Sequence, residues 1–149
     1  MKSKVKKFLL ADDDSDDREM FSEALAAIDP QIVCEGVEDG HAALQLLSGG
    51  EVDHPNIIFI DINMPVMNGW DLLKNLKSDT QFMDIPVIVY STSSRETDRE
   101  IAQDLGANCF VTKPDSFKHV KSMLEVVLSH LQNNQVSEMC GQIHQKLQF

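Results

Sequence analysis

The chain has 149 residues, of which 42% are hydrophobic; this is enough for one domain with a real core and excludes a disordered chain. Its 24 acidic and 13 basic side chains give a net charge of −11, which argues against non-specific binding to DNA or to an anionic membrane. The same charge is compatible with binding metal ions or basic protein surfaces.

The N-terminal segment and the cysteines favour a cytoplasmic protein. The first apolar stretch, FLLA at 8–11, is too short for a signal peptide or a membrane span. The three cysteines are an odd number without CxxC spacing, and we expect them to be reduced, with Cys34 and Cys109 as small core residues and Cys140 in the tail. The histidines lack metal-ligand spacing and are expected at the surface: His41, His54, His119, His130 and His144.

Five short apolar runs, rich in β-branched and aromatic residues, alternate with amphipathic segments. The runs predict buried strands over 5–11, 31–37, 56–61, 86–91 and 108–112. The amphipathic segments predict helices over 15–28, 40–48, 69–77, 94–105 and 116–131. This alternation predicts an α/β fold with a doubly wound parallel sheet and helices on both faces.

The helix ends carry two further expectations. Ser15 is the expected N-cap of the first helix. After the fifth helix, residues 132–149 form a C-terminal tail, and its apolar residues have helical spacing although Gly141 interrupts them. We therefore expect one domain over 1–131 and a tail that forms either a helix or a frayed coil.

Acidic residues follow two of the predicted strands. The first strand ends at Asp12 and Asp13, and the third ends at Asp61. All strands of a parallel sheet end on one side, where ligands bind, so neighbouring strands would bring these carboxylates together. Like charges raise one another's pKa, and Mg²⁺ on hard oxygen ligands removes the repulsion. The alternative is that the acids only cap the first helix, as Asp16 and Asp17 do by charge.

Two further side chains belong to the same edge. The fourth strand ends in Ser91, a hydroxyl donor, and the fifth leads to Lys113, whose ammonium suits phosphate. Together with the acids they suit phosphoryl transfer to a carboxylate, with Asp61 as the nucleophile.

Four motifs in this order resemble the receiver domain of two-component response regulators: DD at 12–13, IDINMPVMNG at 60–69, STSS at 91–94 and TKP at 112–114. The resemblance covers residues 5 to about 131. It implies a flavodoxin-like receiver fold with five parallel strands in the order 2-1-3-4-5. DDDSDD, STSS and LGANCFVTKP also resemble the stand-alone regulators related to phytochrome-associated proteins.

The resemblance implies a role for each site residue. Asp61 accepts the phosphoryl group with the help of Ser91 and Lys113, and the bond from Lys113 to Pro114 is cis. Mg²⁺ is bound by Asp12 (largely through water), by Asp13 and Asp61, and by the backbone carbonyl of Asn63. Ser91 and Phe110 form the conformational switch. Asn63 and Ser93 tune the rate of dephosphorylation.

The implied function is that of a single-domain response regulator. A sensor histidine kinase or a phosphotransfer protein would phosphorylate it, and the face of the fourth helix, fifth strand and fifth helix would signal to an unknown protein target. The resemblance implies no nucleic-acid or membrane partner and no enzyme activity beyond its own phosphorylation and dephosphorylation. The roughly 18 residues after the fifth helix are too few for a DNA-binding output domain, and a homodimer through the fourth and fifth helices is an open alternative.

Two other functions compete with this one. A phosphohydrolase of the aspartyl-phosphate class would show a DxDx[TV] motif on the first strand, where this chain has DDD. A degenerate receiver used as a binding module would lack an acid, the hydroxyl or the lysine, and this sequence lacks none of them. Phosphorylation of Asp61 in a Mg²⁺-dependent way separates the three.

Overall fold

The computed structural model describes residues 4–49 and 53–147, which form five strands and six helices. The strands are β1 (Lys7–Ala11), β2 (Val33–Val37), β3 (Ile57–Ile60), β4 (Val87–Ser91) and β5 (Cys109–Thr112). They form a parallel sheet in the order β2-β1-β3-β4-β5, which confirms the predicted fold.

Six helices connect or follow these strands. They are α1 (Ser15–Ile28), α2 (Gly40–Leu47), α3 (Gly69–Ser78), α4 (Glu96–Asp104), α5 (Phe117–Gln132) and α6 (Val136–Lys146). The first five agree with the predicted helices to within two residues at either end, as expected because helix termini fray. The sixth lies in the tail.

The N-cap of α1 is Asp14, so the prediction of Ser15 was wrong. Asp14 has an extended backbone, and its carboxylate accepts hydrogen bonds from the N–H groups of Asp16 (2.9 Å) and Asp17 (3.1 Å). Ser15 is the first helical residue. A carboxylate is as good a cap as a hydroxyl, and its charge also complements the helix dipole.

The sheet separates two apolar cores. Alternate residues of a strand face opposite sides, so Phe8 and Leu10 of β1 pack with α1, α5 and α6, whereas Leu9 and Ala11 pack with α2, α3 and α4. The central strands β1, β3 and β4 are buried on both faces. β2 was predicted to be buried but is half exposed, because it is an edge strand; Val33 retains 52% of its exposure.

The tail helix changes the account of the cysteines. Cys109 of β5 and Cys140 of α6 form a disulfide, which leaves Cys34 as the free thiol, so the prediction of three reduced cysteines was wrong. The helix folds back over the sheet, and residues 31 positions apart become neighbours. His144 is likewise half buried instead of lying on the surface. Within the described residues, no helix has the length and apolar character needed to cross a membrane.

Candidate functional site

The predicted acids meet at the carboxyl edge of the sheet. Ala11 of β1 pairs with Ile60 of β3, so Asp12 and Asp61 leave neighbouring strands side by side. Asp12, Asp13 and Asp61 each place one carboxylate oxygen within 4.8 Å of the others. Parallel pairing of β1 and β3 therefore creates the cluster that the sequence predicted.

Asp12 is the most deeply buried of the three, with no exposed surface. Its Oδ1 accepts a hydrogen bond from the N–H of Asp14 (3.0 Å). Its Oδ2 forms an ion pair with Lys113 Nζ (2.8 Å), yet among the described residues this oxygen has no hydrogen-bond partner of good geometry. Burial raises the pKa of Asp12 to about 6, against the opposing effect of its contact with Lys113.

This donor set fits a divalent cation. The buried Asp12 oxygen is under-coordinated, the Asp61 carboxylate lies beside it, and the exposed Asp13 leaves an open side towards solvent. Hard oxygen donors in an incomplete shell suit Mg²⁺ or Mn²⁺, which keep water ligands. Asn63 is exposed in the loop that follows Asp61.

Asp61 is held by its own loop and by Lys113. It is 8% exposed; its Oδ1 accepts a hydrogen bond from the N–H of Ile62 (2.8 Å), and its Oδ2 lies 3.2 Å from Lys113 Nζ. Gly69, the first residue of α3, donates its N–H to the carbonyl of Ile62 (2.8 Å). A Cβ at Gly69 would lie 2.1 Å from the backbone oxygen of Asp61, so only glycine permits this close approach.

Lys113 binds three carboxylates, of which sequence analysis identified two. Its Nζ lies 2.8 Å from Asp12 Oδ2, 2.8 Å from Asp17 Oδ2 and 3.2 Å from Asp61 Oδ2. Burial opposes the charge of Lys113, but the hydrogen bonds to Asp12 and Asp17 and the charges of Asp12 and Asp61 outweigh burial and raise its pKa. Asp17 was assigned only to the start of α1; its place one turn along α1 from the acids was the available signal.

The bond from Lys113 to Pro114 is trans, since the described residues contain no cis peptide bond. The expectation of a cis bond was therefore wrong, and the chain adopts the isomer that X–Pro bonds intrinsically favour.

Ser91 closes the site from β4 and connects it to α4. Ser91 is 1% exposed, and its Oγ accepts a hydrogen bond from the N–H of Ser93 (3.2 Å). The hydroxyl of Ser93 donates to Asp98 Oδ2 (2.5 Å), and Arg95 also binds Asp98. The hydrogen bond from Ser93 and then the contact with Arg95 hold the pKa of Asp98 below its usual value. Ser93 thus anchors the start of α4 and does not point its hydroxyl at the acids.

Phe110 lies on β5 between the site and the helices beside it. Its side chain is 5% exposed, in the core on the α2–α4 side, with the guanidinium of Arg99 4.9 Å from the ring centroid. Its carbonyl accepts hydrogen bonds from His144 Nε2 (2.9 Å) and Arg99 Nη1 (3.5 Å). The predicted switch residue therefore contacts both α4 and α6.

Comparisons with known proteins agree with this site. The family model of the response regulator receiver domain matches residues 8–125. The chemotaxis protein CheY1 of Helicobacter pylori is 34% identical over 122 residues, which cover 82% of this chain and 96% of that protein. Response regulator Rcp1 of Synechocystis is 32% identical over 130 residues, covering 83% of this chain and 87% of Rcp1.

Solved structures give the same result. The phosphorylated cyanobacterial phytochrome response regulator RcpA is similar with a TM-score of 0.78 and 34% identity, covering 85% of this chain and 96% of RcpA. The Mn²⁺-bound form of Rcp1 is similar with a TM-score of 0.72 and 29% identity, covering 79% of this chain and 91% of that structure.

Proposed function

The chain belongs to the response regulator receiver domain family, and on that premise we propose that it is a single-domain response regulator phosphorylated on Asp61. The donor would be a sensor histidine kinase or a phosphotransfer protein. The observation that carries the proposal is the cluster of Asp12, Asp13 and Asp61 oxygens within 4.8 Å of one another, with Lys113 bound to Asp61.

In the proposed reaction, a carboxylate oxygen of Asp61 attacks the phosphorus of a phosphohistidine. The new O–P bond forms, the P–N bond breaks, and the imidazole leaves with the electron pair of that bond. Lys113, 3.2 Å from Asp61 Oδ2, stabilises negative charge on the transferring group. The hydroxyl of Ser91, buried at the end of β4, donates to a phosphoryl oxygen.

Receiver domains bind a divalent metal in their acidic pocket, and we propose Mg²⁺ for this one. Asp12, largely through water, with Asp13, Asp61 and the backbone carbonyl of Asn63 would hold it. When bound, Mg²⁺ neutralises charge on the transferring phosphoryl oxygens. The under-coordinated Oδ2 of Asp12 supports this assignment.

The signal would leave through Ser91 and Phe110 to the α4–β5–α5 face. Ser91 is connected to α4 through Ser93 and Asp98, so movement of its hydroxyl towards a phosphoryl group would disturb the start of α4. The single fully buried apolar residue of α4 is Ala102, among the described residues, which makes this helix easier to displace than its neighbours. Asn63 and Ser93 would set the lifetime of the phosphoryl group.

Other parts of the proposal come from the family alone. We assign the receiver unit to 1–131 and treat 132–149 as an appended tail. The cytoplasm is the location expected of a protein that meets kinases, with an unknown protein as target and no nucleic-acid or membrane partner. A homodimer and the cognate kinase remain questions for experiment.

The test is phosphorylation of the purified protein by acetyl phosphate, followed by intact mass. We expect a mass increase of one phosphoryl group that requires Mg²⁺ and is absent in Asp61→Asn. Asp84→Asn, an exposed aspartate just before β4 at the opposite edge of the sheet, is the matched control and should be phosphorylated like the wild type. No adduct, or an adduct that persists in Asp61→Asn, would favour the degenerate binding module.

A further inference from the structure

Helix α6 covers the free side of β5. β5 is an edge strand that pairs with β4 on one side only. Met139 and Ile143 of α6 are fully buried, and they pack in the same core as Cys109 and Val111 of β5 and the apolar face of α5. The helix therefore lies on part of the α4–β5–α5 face.

Helix α6 has little stability of its own. It is 11 residues long, has no side-chain hydrogen bond at its N-cap, and carries Gly141 in its interior with open space around it. Isolated helices of this length are marginal in water, and an interior glycine weakens them further. Its position on β5 thus depends on Met139 and Ile143 and on the covalent bond to Cys109.

The disulfide is the covalent part of this attachment. The Cα atoms of Cys109 and Cys140 are 5.3 Å apart, in the range that disulfides occupy, and the bond closes a loop of 31 residues that includes all of α5. Closing that loop reduces the freedom of α6 to leave β5. Opening the bond returns that freedom.

The disulfide is accessible to a small thiol. A cavity of about 370 Å³ between α4 and α6 is lined by both cysteines and by Arg99 and His144. Cys109 is 5% exposed, whereas Cys140 is half buried, so Cys140 presents the sulfur open to attack. Cys34 lies elsewhere, on β2, and burial raises its pKa to about 11, which makes it a poor nucleophile at neutral pH.

The attachment reaches the residues of the phosphorylation site. Phe110 follows Cys109, and its carbonyl accepts a hydrogen bond from His144 of α6 (2.9 Å). Thr112, on the same strand, donates to the carbonyl of Ser93 (2.9 Å), and Lys113 follows it. The conformation of β5 is therefore shared between α6 and the site.

We propose that Cys109–Cys140 is a reversible thiol–disulfide site whose reduction releases α6 from β5 and uncovers the α4–β5–α5 face. A thiolate attacks Cys140 Sγ, the protein S–S bond breaks, and Cys109 leaves as a thiolate that is protonated. A second thiol then displaces Cys140 from the mixed disulfide. In sum, the protein disulfide and two reductant thiols give two protein thiols and one reductant disulfide. The redox step does not depend on Asp61, whereas the consequence for partners rests on the proposed function.

The experiment compares hydrogen exchange of the full chain before and after treatment with dithiothreitol. Alkylation and intact mass give the number of thiols in each state. We expect two additional labelled thiols on reduction and exchange in 136–146 that is faster by at least about tenfold, because opening of α6 becomes less costly. The amides of β1 and β3, which lie in the middle of the sheet, should keep their protection.

Two variants make the comparison specific. Cys140→Ser should exchange rapidly in α6 with or without reductant, and Cys34→Ser, which keeps the disulfide, should respond like the wild type. Unchanged protection of α6 after reduction, or loss of protection in β1 and β3 at the same time, would overturn the proposal. Three labelled thiols in protein treated with oxidised glutathione would do the same.

A final arm separates this proposal from phosphorylation. In Asp61→Asn, reduction should still release α6, whatever the outcome with acetyl phosphate. If α6 is released and no phosphoryl group is ever bound, the redox site stands and the phospho-acceptor assignment falls. If phosphorylation proceeds and α6 stays protected in both redox states, the reverse conclusion holds.

Discussion

Replacing Gly69 with alanine tests how closely α3 approaches the Asp61 loop. The added Cβ would lie 2.1 Å from the backbone oxygen of Asp61 and 2.9 Å from the Cα of Ile62. Both atoms belong to the backbone, so no side-chain rotation relieves the clash, and either the loop or the start of α3 must move by about 1 Å to restore van der Waals contact.

The expected cost follows from the nature of the clash. Overpacking of a well-packed site typically costs about 1–3 kcal/mol, and a backbone neighbour places Gly69→Ala at the upper end, about 3 kcal/mol. For a chain of this length, that lowers the melting temperature by about 6–12 °C. Displacement of the Asp61 backbone should also reduce its phosphorylation by acetyl phosphate at a temperature where the variant is folded.

The same substitution in α6 provides the control. A Cβ added at Gly141 would have no neighbouring atom within 4 Å, and the residue lies in a helix interior, so Gly141→Ala should stabilise the protein by about 0.5–1 kcal/mol. Urea unfolding of both variants gives the two free energies. If Gly69→Ala is as stable as the wild type, the close contact between α3 and the Asp61 loop is refuted.

Three further substitutions test other contacts. Asp12 has a raised pKa of about 6 in the fold against its usual 3.8, so the metal-free protein loses stability as the pH rises from about 4 to about 6. Asp12→Asn should therefore be more stable by about 1–3 kcal/mol at pH 7 but not near pH 4, and should bind Mg²⁺ more weakly; urea unfolding and calorimetric Mg²⁺ titration measure the two effects. Asp98 has a lowered pKa, so its contribution is present above about pH 4 and lost as the pH falls further. Asp98→Asn should cost about 1–2 kcal/mol at pH 7, and equal stability of the two proteins at that pH would contradict the role of Asp98 at the start of α4. Ile143→Ala should cost about 2–4 kcal/mol in urea, and a cost below about 1 kcal/mol would mean that α6 is not packed on β5.

Much of the fold and most of the site could be predicted from sequence because the signals are local. Short β-branched runs form strands whose neighbours determine little of their character, and the ends of the first five helices follow from caps and apolar spacing. The acids, Ser91 and Lys113 could be placed at one edge because every strand of a parallel sheet ends on the same side. Their roles came from the resemblance to receiver domains and not from spacing alone.

Tertiary structure decided which residues meet across long sequence separations. Asp17 looked like a helix-dipole residue, and only the packing of α1 near the end of β5 brings it within 2.8 Å of Lys113, 96 positions away. The pairing of Cys109 with Cys140 depends on the direction in which the tail turns after α5, which no local pattern specifies. The exposure of β2 depends on its place at the edge of the sheet. Local sequence sets the elements and the chemistry at their ends, whereas contacts between distant elements depend on the free energy of the whole packed chain.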